Sequence, residues 1–131
     1  MNETINTILT RRSMRSYEPT PVPREMIELI LQCGQYAPSG TNRQSWHFTV
    51  VTNRALLNKI SAENKKVLLQ SPDEALRARG LDPDFDSFRG APMAIIVSGD
   101  PAVRYSMADC ANAVENMALA ATSLGLGSCY L

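Results

Sequence analysis

The sequence of 131 residues lacks the features that define several classes of protein. Its three cysteines form no Cys-x-x-Cys pair and it has a single histidine, so neither a disulfide framework nor a zinc site is predicted. The 13 basic and 13 acidic residues give no net charge, which argues against a nucleic-acid or anionic-membrane binder, because both need a positive field. The N-terminus does not resemble a signal peptide, and no apolar run approaches the length of a membrane span. These absences predict a cytoplasmic protein in a reducing compartment.

A glycine-rich phosphate loop is also lacking. None of the seven glycines forms a G-x-G-x-x-G or P-loop motif after a strand, so a Rossmann nicotinamide domain is not expected. Any anion site in this neutral chain must therefore be local. The length and the 44% hydrophobic content fit one folded domain, residues 1–131, with its own core.

The pattern of apolar and turn residues predicts helices and strands in succession. Three prolines between residues 18 and 23 exclude a helix there, and Pro23 suits the first position of the helix that follows. Asn53 is placed to cap another helix, and Gly125 to end the last one. We expect strands at residues 46–52, 92–98 and from 128 onward, helices near 4–11, 23–36, 53–79 (with breaks) and 104–124, and a mobile polar loop at 80–90.

The helix predicted over residues 104–124 is rich in alanine. Apolar residues recur along one stripe at steps of three and four, and Ala108, Ala113 and Ala120 lie off that stripe. Apolar neighbours on several sides are typical of a central helix or of one at a subunit interface. The predicted stripe consists of Met107, Ala111, Val114, Met117, Ala118 and Ala121.

A first polar segment, residues 11–17, contains three arginines and two serines. Guanidinium groups bind phosphate oxygens in pairs, and Ser13 can add a hydroxyl donor, so the segment is a candidate phosphate site. The alternative is that the arginines are solvated and offset the dipole of the preceding helix.

A second polar segment, residues 37–48, has the sequence APSGTNRQSWHF. Its amides and hydroxyls can recognise the edge of a heteroaromatic ring, and Gly40 allows the backbone to approach a flat ligand. Asn42 and Gln44, two residues apart, would point the same way in an extended stretch. The alternative is a polar turn that leads into a strand. The only histidine, His47, is interpreted as structural, and no catalytic residue is assigned.

A third segment, residues 109–129, ends in a cysteine. Cys129 has no apparent partner base, so a buried structural thiol is favoured over a nucleophile. The strand predicted from Ser128 has only four residues before the sequence ends, which favours missing sequence beyond it, and the alternative is a short terminal strand.

Taken together, the three segments resemble the nitroreductase family of FMN-dependent NAD(P)H oxidoreductases. The matching motifs are Arg-Arg-Ser-x-Arg-x-Tyr, Ala-Pro-Ser-x-x-Asn-x-Gln-x-Trp-His-Phe, and a helix with Asp109, Ala113 and Asn116 followed by Leu-Ala-Ala and Leu-Gly-Leu-Gly-Ser. Ser45 stands where the family has a proline. The family continues past this point with a C-terminal segment, so the chain is expected to be a C-terminally truncated member.

The resemblance implies an α+β fold, with a central mixed or antiparallel sheet flanked by helices. It also implies a homodimer that holds FMN at the subunit interface, with the long alanine-rich helix at that interface. The residues implied for the FMN phosphate and ribityl chain are Arg11, Arg12, Ser13 and Arg15. Those implied for the flavin ring are Pro38, Ser39, Gly40 and Asn42 from the other protomer, with Gln44 nearby, and Cys129 and Tyr130 lining the ring.

The activity implied is transfer of hydride from NADH or NADPH through the flavin to a small electron-poor acceptor, such as a nitroaromatic or a quinone. Nucleic acids and membranes are not expected partners, and no metal site is expected. Two other hypotheses remain open. One is a non-catalytic flavin-binding remnant of the same fold, and the other is a helical dimerisation module whose arginines are solvated.

Overall fold

The computed structural model describes residues 1–131 and shows an α+β fold of five helices and two strands. The helices and strands expected from the sequence are confirmed apart from a third strand. The helical region expected over residues 53–79, with breaks, consists of two helices. None of the helices is long and apolar enough to cross a membrane. In chain order the elements are α1 (Glu3–Thr10), α2 (Arg24–Gln35), a 3-10 turn (Gly40–Asn42), β1 (Trp46–Val51), α3 (Arg54–Leu69), α4 (Glu74–Leu81), β2 (Ala94–Gly99) and α5 (Ser106–Ser123).

The chain divides into two compact units. The first contains α1, α2, α5 and most of both strands, and the second contains α3 and α4. The first unit comprises Met1–Arg15, Val22–Thr49 and Ile95–Leu131, and the second comprises Ser16–Pro21 and Val50–Ala94.

The core of the first unit lies between α2 and α5. Ile30 of α2 and Met117 and Ala121 of α5 form a buried cluster, against which Phe48 of β1 packs. Gly34 allows the two helices to approach closely, because a Cβ there would lie 2.9 Å from Cγ of Met117. The apolar stripe of α2 therefore faces α5, as amphipathic spacing predicts.

The two strands form an antiparallel sheet. The amide of Asp100, just after β2, donates to the carbonyl of Ser45, just before β1, at 3.3 Å. The start of one strand therefore lies beside the end of the other. The expected central sheet is limited to these two strands. The strand expected from Ser128 is not formed, because a single bridge to Ser13 pairs that segment.

The buried side of α5 agrees with the predicted apolar stripe at Met117 and Ala121 and differs from it near the start of the helix. Met107 is 88% exposed, and Ala111 is exposed as well. The buried face contains two polar residues, because their side chains bond to the chain segment that precedes β1. This buried face consists of Ser106, Asp109, Ala113, Met117 and Ala121.

The C-terminus of α5 ends at Gly125, as predicted. Gly125 has φ of 76°, its amide donates to Thr122 at 3.1 Å, and the amide of Leu126 donates to Ala121 at 2.9 Å. These two bonds are the Schellman pattern, which requires a left-handed residue.

We expect Gly125→Ala to lower the free energy of unfolding by roughly 1–2 kcal/mol, the cost of a left-handed conformation for a residue with a Cβ. Nothing lies within 4 Å of the position that the Cβ would take, so backbone conformation alone sets this cost. Urea denaturation followed by circular dichroism measures it. An unchanged midpoint would show that the turn does not constrain this residue.

In the second unit, side chains cap both helices. The Asn53 side chain accepts a hydrogen bond from the amide of Leu56 at 3.0 Å, as its position predicted, and Asp73 caps α4 in the same way. On α3, Leu57 is fully buried. Ser61 Oγ, also on α3, accepts from the amide of Ser87 at 2.9 Å, which fixes the segment between α4 and β2 at that point.

Candidate functional site

Residues 38–44, which we call loop 38–44, have an unusual backbone. Thr41, Asn42 and Gln44 all adopt positive φ angles, of 52°, 56° and 50°. A left-handed conformation costs a residue with a side chain roughly 1–2 kcal/mol, and most for a β-branched residue such as Thr41. Strain of this kind persists only where the surroundings enforce it, and it is concentrated at functional sites.

Within loop 38–44, polar side chains hold one another. Ser39 Oγ accepts a hydrogen bond from the amide of Gln44 at 3.0 Å. The side-chain amide of Gln44 donates to Oδ1 of Asn42, also at 3.0 Å. The two amide side chains meet, as expected, but for a different reason. The backbone is a 3-10 turn with left-handed residues and not the extended stretch that would have aligned them.

A row of polar side chains on α5 bonds to loop 38–44 and to α2. Asp109, Asn112 and Asn116, at positions i, i+3 and i+7, share one helix face, and we call them the polar row. Oδ1 of Asp109 accepts from the amide of Gly40 at 2.9 Å. The Asn112 side chain donates to the carbonyl of Pro38 at 3.3 Å, and that of Asn116 donates to the carbonyl at the end of α2, on Cys33, at 3.1 Å.

Gly40 is also constrained by an aromatic ring at the start of α5. A Cβ on Gly40 would lie 2.5 Å from Cδ2 of Tyr105, so only glycine allows the loop backbone to lie against that ring. The sequence predicted that the backbone at Gly40 lies close to another group, and within the chain that group is the Tyr105 ring.

The polar row was missed as part of a site, although Asp109 and Asn116 were noted as part of a motif. A signal was present in the sequence, since amides and a carboxylate at helical spacing interrupt an otherwise alanine-rich helix. Asp109 is 3% exposed, and its Oδ2 has no hydrogen-bond partner. A buried carboxylate oxygen of this kind needs a physical explanation, because leaving it unpaired costs about 1–3 kcal/mol.

The segment Arg11, Arg12, Ser13 and Arg15, which we call the arginine segment, follows the end of α1. None of the three ion pairs in the structure involves it, so its three guanidinium groups have no carboxylate within 4.0 Å. Arg12 instead donates to the carbonyls of Leu9 and Arg11, both at 2.8 Å, at the C-terminus of α1. Arg12 therefore lies at the end of the helix dipole of α1, as expected if the arginines offset that dipole and do not bind phosphate.

The chain after α5 lies beside the arginine segment. The amide of Met14 donates to the carbonyl of Ser128 at 2.8 Å, which brings Cys129 and Tyr130 next to the arginines in the fold. Cys129 is partly and not fully buried, and Tyr130 is 74% exposed. The prediction that the Cys129 thiol is buried is therefore wrong. A single bridge pairs this segment with the rest of the chain, and the segment lies near the surface.

Another thiol, that of Cys110, lies next to the polar row. Burial, with a further contribution from the neighbouring Asp109 carboxylate, raises the pKa of the Cys110 thiol. A thiol with a raised pKa is a poor nucleophile at neutral pH. The structure contains no group of three or more His, Cys, Asp or Glu side chains that could hold a metal ion.

The predicted site residues thus form two groups, each anchored near a different end of α5. Loop 38–44 is held at the first turns of the helix, and the arginine segment pairs with the chain that follows its last turn. A helix of 18 residues is about 27 Å long. No hydrogen bond joins the two groups.

Comparison with known proteins relates this arrangement to one family. The sequence matches the Nitroreductase family over residues 8–131. It is 38% identical to a protein of Archaeoglobus fulgidus provisionally named NADH dehydrogenase/NAD(P)H nitroreductase, over 100% of this chain and 68% of that protein. This chain belongs to the nitroreductase family.

Solved structures agree in fold. A nitroreductase with bound FMN from Bacteroides fragilis superposes with a TM-score of 0.93 at 42% identity, covering 98% of this chain and 69% of the other. An FMN-dependent nitroreductase from Clostridium difficile gives a TM-score of 0.89 at 36% identity, covering 98% of this chain and 59% of the other. The chain spans between 59% and 69% of the length of these three proteins.

Proposed function

We propose that this chain binds FMN and functions as an NAD(P)H-dependent oxidoreductase that reduces a small electron-poor acceptor, such as a nitroaromatic or a quinone. The observation that carries the proposal is the arginine segment, whose three guanidinium groups have no carboxylate partner in a chain of zero net charge. Such a cluster of cations stabilises a bound phosphate and otherwise repels itself. Membership of a family with FMN-bound structures supports the choice of phosphate ligand.

The arginine segment fits the phosphate end of FMN. Arg11 and Ser13 have side chains without a hydrogen-bond partner in the chain, so both are free to donate to phosphate oxygens. Arg15 makes only a long contact of 3.5 Å to the carbonyl of Ser13. Arg12 would contribute its remaining donors while it caps α1. The adjacent Cys129 and Tyr130 would lie along the same cofactor.

Loop 38–44 fits the flavin ring. Its backbone is hydrogen-bonded to α5, Gly40 carries no side chain, and the Asn42 and Gln44 amides offer donors and acceptors that match a heteroaromatic edge. Pro38 and Ser39 would complete the contact. Because the loop and the arginine segment are anchored near different ends of α5, we propose that a second copy of the chain supplies the loop in a homodimer.

Exposed apolar side chains support this homodimer. On α5, Met107 is 88% exposed, and on α1, Ile5, Ile8 and Leu9 are between 44% and 55% exposed. A helix in contact with a partner on its outer side would bury Met107 and Ala111, the part of the predicted stripe that the chain by itself leaves exposed. The alanine-rich helix would then lie at the dimer interface.

Bound FMN supplies the hydride chemistry. The residues of this chain would bind it and orient it. The arginines neutralise the phosphate charge, and loop 38–44 restricts the ring to one orientation. No side chain in either group is placed as a proton donor or acceptor, so no catalytic acid or base is assigned.

A non-catalytic flavin-binding protein of the same fold is the second candidate. A helical dimerisation module without flavin is less favoured, because solvated arginines would not require a strained loop.

The first test is the absorbance spectrum of the purified chain after incubation with FMN, followed by anaerobic addition of NADH and, separately, NADPH. We expect near-stoichiometric FMN and loss of the oxidised-flavin absorbance with at least one nicotinamide. Bound FMN that neither nicotinamide reduces would contradict the enzyme and favour the flavin-binding protein. A chain that binds no FMN would contradict both.

A further inference from the structure

We infer that Asp109 is the positioning residue for loop 38–44, and that it acts through its hydrogen bond to the Gly40 amide. Its significance for flavin binding rests on the proposed function, whereas its effect on the loop does not. Asp109 would not touch the cofactor itself. It would set the loop conformation that presents Asn42 and Gln44.

The first argument is the strain in the loop. Three of its residues are left-handed without being glycine, so local preference opposes the observed conformation. The bonds inside the loop, from Ser39 to Gln44 and from Gln44 to Asn42, link loop residues only to each other. An anchor outside the loop must therefore hold it in place, and α5 supplies that anchor.

The second argument is the burial and geometry of Asp109. It is 3% exposed, lies in the first turn of α5, where the helix dipole favours a negative charge, and accepts the Gly40 amide at 2.9 Å. A hydrogen bond that is buried away from water is electrostatically stronger than one at the surface. Asn112, one turn further along, and the Tyr105 ring at the start of the helix hold the neighbouring backbone.

The third argument concerns the free oxygen of Asp109. Oδ2 has no partner in the chain. Asparagine at this position would keep an oxygen for the Gly40 amide and break no other hydrogen bond, whereas alanine would remove the acceptor. Asp109→Asn therefore removes the carboxylate and keeps the hydrogen-bond acceptor, whereas Asp109→Ala removes both. Comparison of the two variants shows which of them holds the loop.

Tryptic cleavage after Arg43 tests the effect on the loop without any flavin. Arg43 is exposed and lies inside loop 38–44, so its rate of cleavage reports how firmly the loop is held. We expect Asp109→Ala to accelerate cleavage there at least roughly tenfold, and Asp109→Asn to restore the rate to within about threefold of the unchanged chain. Cleavage after Arg24, an exposed site on α2, is the internal control and should change in neither variant.

Titration with FMN and with riboflavin tests the effect on binding. Riboflavin has the ring of FMN and no phosphate, so we expect Asp109→Ala to weaken both ligands by a similar factor of roughly tenfold. Weakening of FMN alone would contradict the inference, because it would place the effect at the phosphate. Unchanged cleavage after Arg43 in a folded Asp109→Ala chain would also overturn it.

Asp109→Leu decides the question if Asp109→Ala does not fold. Leucine keeps the branched shape of the buried side chain and removes the acceptor for the Gly40 amide. It should accelerate cleavage after Arg43 about as much as alanine does, and an unchanged rate in the folded variant would overturn the inference. If the unchanged chain binds neither flavin while Asp109→Ala accelerates cleavage, the proposed function fails and the role of Asp109 in the loop stands.

Discussion

Replacing Arg11 and Arg15 together with alanine should weaken FMN binding by at least about a hundredfold, and should leave riboflavin binding within about twofold. A hydrogen bond to a charged group contributes about 1.5–3 kcal/mol, so two such donors account for this factor even at the lower limit. Neither guanidinium has a carboxylate partner in the chain, so the substitution breaks no ion pair of the folded protein. Quenching of flavin fluorescence on titration with each ligand gives both dissociation constants.

The matched control for this double variant is Arg24→Ala. Arg24 lies on α2 with its side chain 89% exposed, and it pairs with Glu28 at 2.7 Å, so its loss removes one positive charge outside the predicted site residues. We expect FMN affinity to change by less than about twofold in this control, since only long-range attraction is lost and salt screens it. Equal weakening of FMN and riboflavin by the double variant would contradict a phosphate site at the arginine segment.

Local sequence signals were sufficient to predict most of the elements of the fold. Asn53 capping α3 and Gly125 ending α5 were predictable because capping depends on the residue itself and its nearest neighbours. The strand β2 was predictable because an uninterrupted apolar run bounded by turn residues has few other stable arrangements. These elements do not depend on what the rest of the chain does.

The features that the sequence did not reveal depend on contacts between distant residues. Nothing local indicates that Thr41 takes a left-handed conformation, because the loop around it is held by contacts with distant residues, among them the bond between Gly40 and Asp109, 69 positions apart. The buried face at the start of α5 was mistaken for the same reason, whereas Met117 and Ala121 were predicted. Apolarity favoured Met107, whereas the chain buries Asp109, whose partner lies in another segment.

The site was recognised as two separate polar segments, and their arrangement was not predictable. A sequence shows that the arginine segment and loop 38–44 are both polar and compact, but it does not give the distance between them. The structure anchors them near different ends of α5, and this separation is the physical reason to propose that two copies of the chain build each flavin site. Gel filtration with and without FMN tests that proposal, with a dimer as the expected species.

Leu57→Ala should have the largest effect on stability, lowering the free energy of unfolding by about 2–5 kcal/mol, the range for a buried leucine truncated to alanine. Leu57 is the one large side chain that is fully buried, so its removal leaves a cavity where other side chains could only shift. The neighbouring Leu56→Ala is the control, because Leu56 lies on the same helix and is 45% exposed. Urea denaturation of both variants should separate them by at least about 1 kcal/mol. Similar losses in the two would mean that Leu57 packs against side chains that close the cavity, and that helix propensity alone sets the cost in α3.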